Sequence, residues 1–134
     1  MERLEIGQRK DGIEVNSALR WNRSGIRVMS GEHYQVQASL DIWRDASIPS
    51  DANGQAGSAL QNCFKWLIRC KAATWFQLVA ALGESDKQLF PLGLDAHLNI
   101  PDGTDAELTL FANDVSLAYG NNRGSVWVSL TRLA

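Results

Sequence analysis

The chain has 134 residues, of which 45% are hydrophobic and 21% charged, the proportions of an ordinary globular protein. We therefore expect a single domain with a sizeable core over residues 1–134. The net charge is -2 and no basic run stands out, which argues against nucleic acid as a partner. No window approaches the apolar length of a membrane span, and residues 1–11 lack the apolar centre of a signal peptide. We expect a protein that is cytoplasmic at synthesis, with later release by another route left open.

Short strands separated by turn residues are predicted from the alternation of apolar and polar side chains. They cover residues 25–29, 34–40, 64–70, 75–83, 89–94, 107–111 and 125–130. A helix over residues 58–82 is the competing prediction, which the aromatic content and the break at residues 71–74 disfavour. Residues 48–57 are rich in turn formers and are predicted to form the longest loop. Seven or eight short antiparallel strands at this spacing indicate an all-β sandwich or barrel.

The polar stretch between the last two strands is the strongest candidate for chemistry. Four side chains with amide or carboxylate oxygens fall within it: Asn113, Asp114, Asn121 and Asn122. Calcium takes six to eight oxygen ligands in loose geometry, which carboxylates, amides and backbone carbonyls supply. Asn and Gly are also ordinary turn residues, so turn chemistry without a metal is the alternative.

Residues 110–128 resemble the C-terminal signature of the PA-IL-like galactophilic lectins. The shared motif is Asn-Asp-Val, four intervening residues, and Gly-Asn-Asn-x-Gly-Ser leading into an alternating strand, with weaker similarity upstream to about residue 15. Those lectins are small bacterial proteins that bind galactose through calcium and have a jelly-roll β-sandwich fold. The resemblance implies the same fold here, with seven or eight short antiparallel strands, and carbohydrate binding through Ca2+.

The resemblance also implies a ligand set for the metal. The side chains of Asp114, Asn121 and Asn122 would bind calcium, together with the backbone carbonyl of Ala118. A further carbonyl would come from the turn after Trp43, with Ala46 as the candidate and Asp45 as a possible helper. Asp114 and Asn121 would also hydrogen-bond the sugar, and Val115 would give it an apolar contact.

One part of the lectin pattern is missing. The family contacts the sugar through a His-Pro-x-Gln stretch, which falls near residues 63–66 here, where the chain has no histidine. Gln61 and Asn62 are the candidate substitutes, and Trp43 is a candidate for stacking on a sugar ring, with a place in the core as its alternative. The sequence thus leaves open whether the sugar is a galactoside.

The other chemistry-bearing residues have simpler interpretations. His33 and His97 are expected to be surface or partly packed residues, and no nucleophile, phosphate-binding or zinc motif indicates an enzyme. Cys63 and Cys70 are expected to be packed free thiols, because one strand would hold them too far apart for a disulfide. Trp127 points away from the apolar side of its strand, which indicates either a second packed layer or a homo-oligomer interface.

Two functions of different classes remain at this stage. The first is a calcium-dependent lectin, supported by Asp114, Asn121 and Asn122. The second is a non-catalytic interaction or structural module that kept the sandwich but lost sugar binding, supported by the altered stretch between residues 51 and 63.

Overall fold

The computed structural model describes all residues from 1 to 134. Seven strands have five or more residues: β1 (Arg9–Asn16), β2 (Asn22–Met29), β3 (His33–Ala38), β7 (Trp75–Leu82), β9 (Asp95–Asn99), β10 (Asp105–Ala112) and β12 (Ser125–Arg132). Five are shorter: β4 (Trp43–Asp45), β5 (Ile48–Ser50), β6 (Asn53–Gln55), β8 (Leu89–Pro91) and β11 (Asn122–Arg123). The only α-helix, α1, spans Ala59–Cys63, and 3-10 turns cover Lys65–Leu67 and Tyr119–Asn121. No helix is of the length and apolarity that crossing a bilayer requires.

Two antiparallel sheets form the body of the protein. The first has the strand order β1-β12-β3-β9, and the second has the order β2-β10-β7-β6, with β8 also paired to β7. A single apolar cluster draws side chains from both sheets, among them Val15, Val128 and Leu110. Such a shared core between two sheets is the arrangement of a β-sandwich, so the predicted all-β sandwich is confirmed.

The side-chain alternation of the last strand shows why the sequence forms this sandwich. Val126, Val128 and Leu130 of β12 are buried, whereas Trp127 between them is exposed. Each fully buried aliphatic side chain contributes about 1.5–3 kcal/mol, and a slip of one residue would turn all of them toward water. The alternation thereby fixes the register of β12 against β1 and β3.

Strand β7 is buried on both faces. Phe76, Leu78 and Ala80 belong to the main core, whereas Val79 and Ala81 face a second cluster that contains Cys70, Ala73 and Phe111. Residues 68–73 therefore cover the outer face of the second sheet. The strand predicted over residues 75–83 is confirmed as β7, although burial on both faces removes the polar alternation that marks a half-buried strand.

The structure corrects the predictions for the middle of the chain. Residues 64–70 do not form a strand, and the rival helix over residues 58–82 is limited to the five residues of α1. The apolar residues Phe64 and Trp66 are exposed, so their alternation does not mark a buried face. Ser58 and Gln61 form a reciprocal capping box that starts α1, a local signal the strand prediction overlooked.

Several other elements differ from the predictions. The loop predicted at residues 48–57 contains β5 and β6, and β1 and β9 were not predicted. The predicted strand at residues 89–94 is limited to β8. Both cysteines are free, as expected, but Cys63 is exposed rather than packed.

Candidate functional site

A cleft of about 380 Å³ opens where residues 113–122, which we call the signature loop, meet the β4–β5 turn and α1. The loop supplies Asp114, Val115, Ala118 and Asn121, which the sequence had singled out for metal and sugar. The same loop also supplies Leu117, and from other parts of the chain the cleft receives Asp45, Ala46, Ile48, Ser58, Leu60, Gln61, Phe64, Leu67 and Trp75. Segments far apart in sequence thus converge on the predicted site.

Asp114, which lines the cleft, forms a buried hydrogen-bonded pair with Asn122, which does not line it. The Asn122 amide nitrogen donates to Asp114 Oδ2 at 3.0 Å and to the Ser17 carbonyl at 2.9 Å. Because both of these partners are acceptors, the orientation of the amide is defined. Asn122 Oδ1 is buried and has no hydrogen-bond partner. A buried oxygen without a partner destabilises the folded state, unless a hydrogen-bond donor or a cation binds to it.

A second carboxylate, Asp45, lies close to Asp114. Asp45 is buried on β4, where its backbone pairs with that of Asn122 on β11. Its Oδ2 accepts a hydrogen bond of 2.5 Å from the Gln61 amide nitrogen. The Gln61 amide oxygen in turn accepts from Ser58 N and from the Gln55 side chain. Gln61 therefore lines the cleft, but its amide group is already hydrogen-bonded to Asp45, Ser58 and Gln55.

The environment of Asp114 disfavours its charge when no cation is present. Burial raises the pKa of Asp114 to about 6, and the Asp45 carboxylate acts in the same direction. Hydrogen bonds from Asn122 and the Val115 backbone, together with Arg69, act to lower this pKa without offsetting the burial. A bound cation would favour the ionised form of a carboxylate in such a position.

Backbone groups of the β4–β5 turn and the signature loop join the same cleft. Ala46 adopts a left-handed conformation with φ of 53°, and its N–H donates to the Asn121 carbonyl at 3.1 Å. Ala118, where the 3-10 turn begins, donates to the Val115 carbonyl at 2.9 Å. This contact between Ala46 and Asn121 fixes the turn beside the loop, as the predicted ligand set requires.

Two residues predicted to touch sugar do not line the cleft. Trp43 is fully buried in the main core, where its indole N–H donates to the carbonyls of Asp51 and Phe76. Asn62 accepts a hydrogen bond of 3.2 Å from the Trp75 indole. Trp75 is the tryptophan that lines the cleft.

Asn113 serves the architecture of the site rather than its surface. Its amide oxygen accepts from Cys70 N at 2.9 Å, and its amide nitrogen donates to the carbonyls of Cys70 and Thr74 at 3.0 Å each. All of these bonds fasten residues 70–74 to the start of the signature loop. The sequence grouped Asn113 with the metal-binding oxygens, but the structure engages its amide elsewhere.

Arg69 is a buried cation that anchors the signature loop. Its side chain is 1% exposed, and its guanidinium lies 3.5 Å from the centre of the Phe111 ring and 4.4 Å from that of Trp21. It also donates to the Tyr119 hydroxyl and pairs with Asp86 at 2.9 Å. Its backbone N–H donates to the Asp114 carbonyl at 3.0 Å. Such a stacked, hydrogen-bonded guanidinium holds the backbone of Asp114 in place.

The apolar walls of the cleft were not predicted from the sequence. Leu60, Phe64, Leu67 and Leu117 line it, and all four are substantially exposed. The strand predicted over residues 64–70 had assigned Phe64 to a sheet. The capping box at Ser58 was the signal that could have placed a short helix here instead.

Comparison with solved structures identifies a protein of the same fold. The structure is similar to that of the EclA N-terminal domain, described as a PllA-like lectin, with a TM-score of 0.68 and 21% sequence identity. The similarity covers 92% of this chain and 97% of that one. No protein-family model matches the sequence, and no curated protein matches it. The resemblance to PA-IL-like lectins is thus supported by the fold, which this chain shares with a PllA-like lectin domain.

Proposed function

We propose that this protein is a non-catalytic lectin that binds a carbohydrate through a calcium ion held in the cleft. The observation that carries the proposal is the unpartnered, buried oxygen of Asn122 beside the Asp114 carboxylate. Asp45 adds a second carboxylate to the same cleft. Two neighbouring carboxylates and an unpaired amide oxygen favour a hard cation, which would neutralise their repulsion.

The donor set fits calcium better than a transition metal. The side-chain ligands of calcium would be Asp114, Asn121 and Asn122. The backbone carbonyls of Ala46 and Ala118 would be the remaining ligands from the protein. Oxygen donors of this mixed kind suit calcium, whereas zinc is held mainly by His and Cys. No group of three or more His, Cys, Asp or Glu side chains comes together in the structure.

The cleft residues would contact a sugar through hydrogen bonds and through apolar surfaces. When bound, calcium would supply open coordination positions for sugar hydroxyls. Asp114 would accept hydrogen bonds from those hydroxyls, and the exposed Asn121 would both donate and accept. Val115 offers apolar contact to the C–H face of a ring, whereas Trp75 lies in the wall of the cleft and is buried. The resemblance to galactophilic lectins makes a galactoside the first ligand to test.

A thermal melt with millimolar calcium and with chelator tests the metal site. If only the folded state binds calcium, a hundredfold excess of calcium over its Kd adds about 2.7 kcal/mol to the free energy of unfolding. With an unfolding entropy of about 2.1 cal/mol/K per residue, this corresponds to a rise in Tm of roughly 10 °C. Asp114→Asn should abolish the rise, whereas Asp102→Asn in an exposed turn should keep it. An unchanged calcium response in Asp114→Asn would refute the assignment.

Calorimetric titration with galactosides in the presence of calcium tests the sugar. Asn121→Ala should weaken sugar binding at least as much as calcium binding, because Asn121 is proposed to contact both. Calcium binding without any response to a panel of glycans would favour the interaction module over the lectin.

A further inference from the structure

Five large apolar side chains are exposed around the mouth of the cleft. We call them the apolar rim, and they are Leu60 (71% exposed), Phe64 (48%), Trp66 (71%), Leu67 (40%) and Leu117 (97%). Leu60, Phe64, Leu67 and Leu117 line the cleft, and Trp66 lies within the 3-10 turn that continues from α1. Single exposed apolar residues are ordinary, but a cluster of this size marks an interaction surface.

The local structure forces these residues outward. The capping box at Ser58 and Gln61 starts α1, while the buried side chains of Ile68 and Cys70 anchor the segment after it. Between these two anchors the chain makes only one short helix and one 3-10 turn. Their apolar side chains therefore have no second layer to pack against.

A ligand inside the cleft would leave Trp66 and much of the exposed surface of Leu60 and Leu117 uncovered. Leu60, Trp66 and Leu117 are each more than 70% exposed, and Trp66 is not among the residues that line the cleft. The partner that covers them must therefore extend beyond the cleft as a surface of its own.

The charged residues in the sequence around the apolar rim indicate which kind of partner it binds. Residues 59–73 contain Lys65, Arg69 and Lys71 but no Asp or Glu, in a chain whose net charge is -2. Arg69 is buried and paired, so the exposed cations are Lys65 and Lys71. The Lys71 ammonium contacts the carbonyls of Trp66 and Ile68. The carboxylates of Asp45 and Asp114 also line the cleft, but both are buried. The exposed part of residues 59–73 therefore combines Leu, Phe and Trp side chains with lysines, which is the composition of a segment that lies in a membrane interface.

We propose that the apolar rim docks onto the surface of a phospholipid bilayer. The leucines and Phe64 would enter the boundary between headgroups and acyl chains, where the amphipathic indole of Trp66 is also favoured. Lys65 would meet the phosphates of anionic headgroups. The mouth of the cleft would then lie at headgroup level, facing groups displayed on lipid. This last consequence rests on the proposed carbohydrate function, whereas the docking itself does not.

Flotation of the full chain with phospholipid vesicles, in chelator and without any glycan, tests the docking. Vesicles of phosphatidylcholine mixed with phosphatidylserine should carry the wild-type protein upward, and those of phosphatidylcholine alone should carry less of it. The double variant Trp66→Ser/Leu117→Ser should bind at least about tenfold more weakly, because it loses two side chains from the apolar contact. Ile6→Ser/Leu40→Ser is the matched control, since these residues are 67% and 77% exposed away from the cleft, and it should bind like the wild type.

Other outcomes would overturn the proposal. Absence of wild-type binding to both vesicle types, or equal loss in the control variant, would remove the lipid surface as the partner. A wild-type dimer in sedimentation analysis that Trp66→Ser/Leu117→Ser converts to a monomer would assign the apolar rim to a second copy of the chain. All replaced residues are exposed, so thermal melts should show that every variant folds. Because chelator is present throughout, a failure of calcium binding does not affect this test.

Discussion

Glu32 joins four separate segments of the sandwich and should make a large, pH-dependent contribution to stability. Arg3 donates to both of its carboxylate oxygens, at 2.8 and 2.6 Å, and Arg132 pairs with it at 3.0 Å. The Tyr34 hydroxyl and the Met29 N–H also donate to it, at 2.9 and 2.6 Å. The Glu32 side chain is only 5% exposed. We expect Glu32→Gln to leave two arginines without their counter-charge.

The magnitude follows from the pKa of Glu32. Burial acts to raise this pKa, but the hydrogen bonds from Arg3, Met29 and Tyr34, together with the charge of Arg132, bring it from 4.5 down to about 2. At about 1.4 kcal/mol for each pKa unit, this difference corresponds to about 3 kcal/mol. Since the pKa is lower in the folded state, the contribution is fully present above pH 4.5 and is lost as the pH falls toward 2.

Urea unfolding of the wild type and Glu32→Gln across this pH range provides the assay. The difference in unfolding free energy should be about 3 kcal/mol at neutral pH and should shrink steadily between pH 4.5 and 2. Glu84→Gln, at an exposed position, should change stability by less than about 0.5 kcal/mol at every pH. If Glu32→Gln lowers the free energy of unfolding by the same amount at neutral pH and at pH 2, the charge of the Glu32 carboxylate is not the source of the loss.

Further substitutions test the supports of the cleft. Arg69→Lys keeps the charge but loses the stacking on Phe111, and chemical unfolding should show a loss of about 2 kcal/mol. Asn113→Ala removes three hydrogen bonds of a buried amide, so we expect a loss of about 2–4 kcal/mol in the same assay. Gly57→Ala would place a Cβ 2.4 Å from Trp75 Cδ1 at a φ of +92°, and a lower Tm with an altered Trp75 fluorescence should follow.

The last strand was predicted well because it has one buried face. In residues 125–130 the apolar side chains fall where β12 lies, because alternation records the difference between core and solvent directly. Residues 107–111 also fall within β10, although that strand is buried on both faces from Leu108 to Ala112. Residues 64–70 alternate in the same way, but Phe64 and Trp66 face outward on short turns, and only Ile68 and Cys70 are buried. Periodicity alone could not separate these cases, since the environment that Phe64 meets depends on segments distant in sequence.

The sequence by itself determined the all-β class, as a sandwich or a barrel, and grouped Asp114, Asn121 and Asn122 in one loop, because strand alternation and the spacing within a loop are local properties of the chain. Only the tertiary structure tied the Gln61 amide to Asp45, engaged the Asn113 amide elsewhere, and put Trp75 rather than Trp43 on the cleft. The apolar rim likewise arises from long-range packing, which buries Ile68 and Cys70 and leaves the residues before them uncovered. Which side chains meet across the cleft is decided by sheet pairing between distant segments, and no short stretch of sequence encodes that pairing.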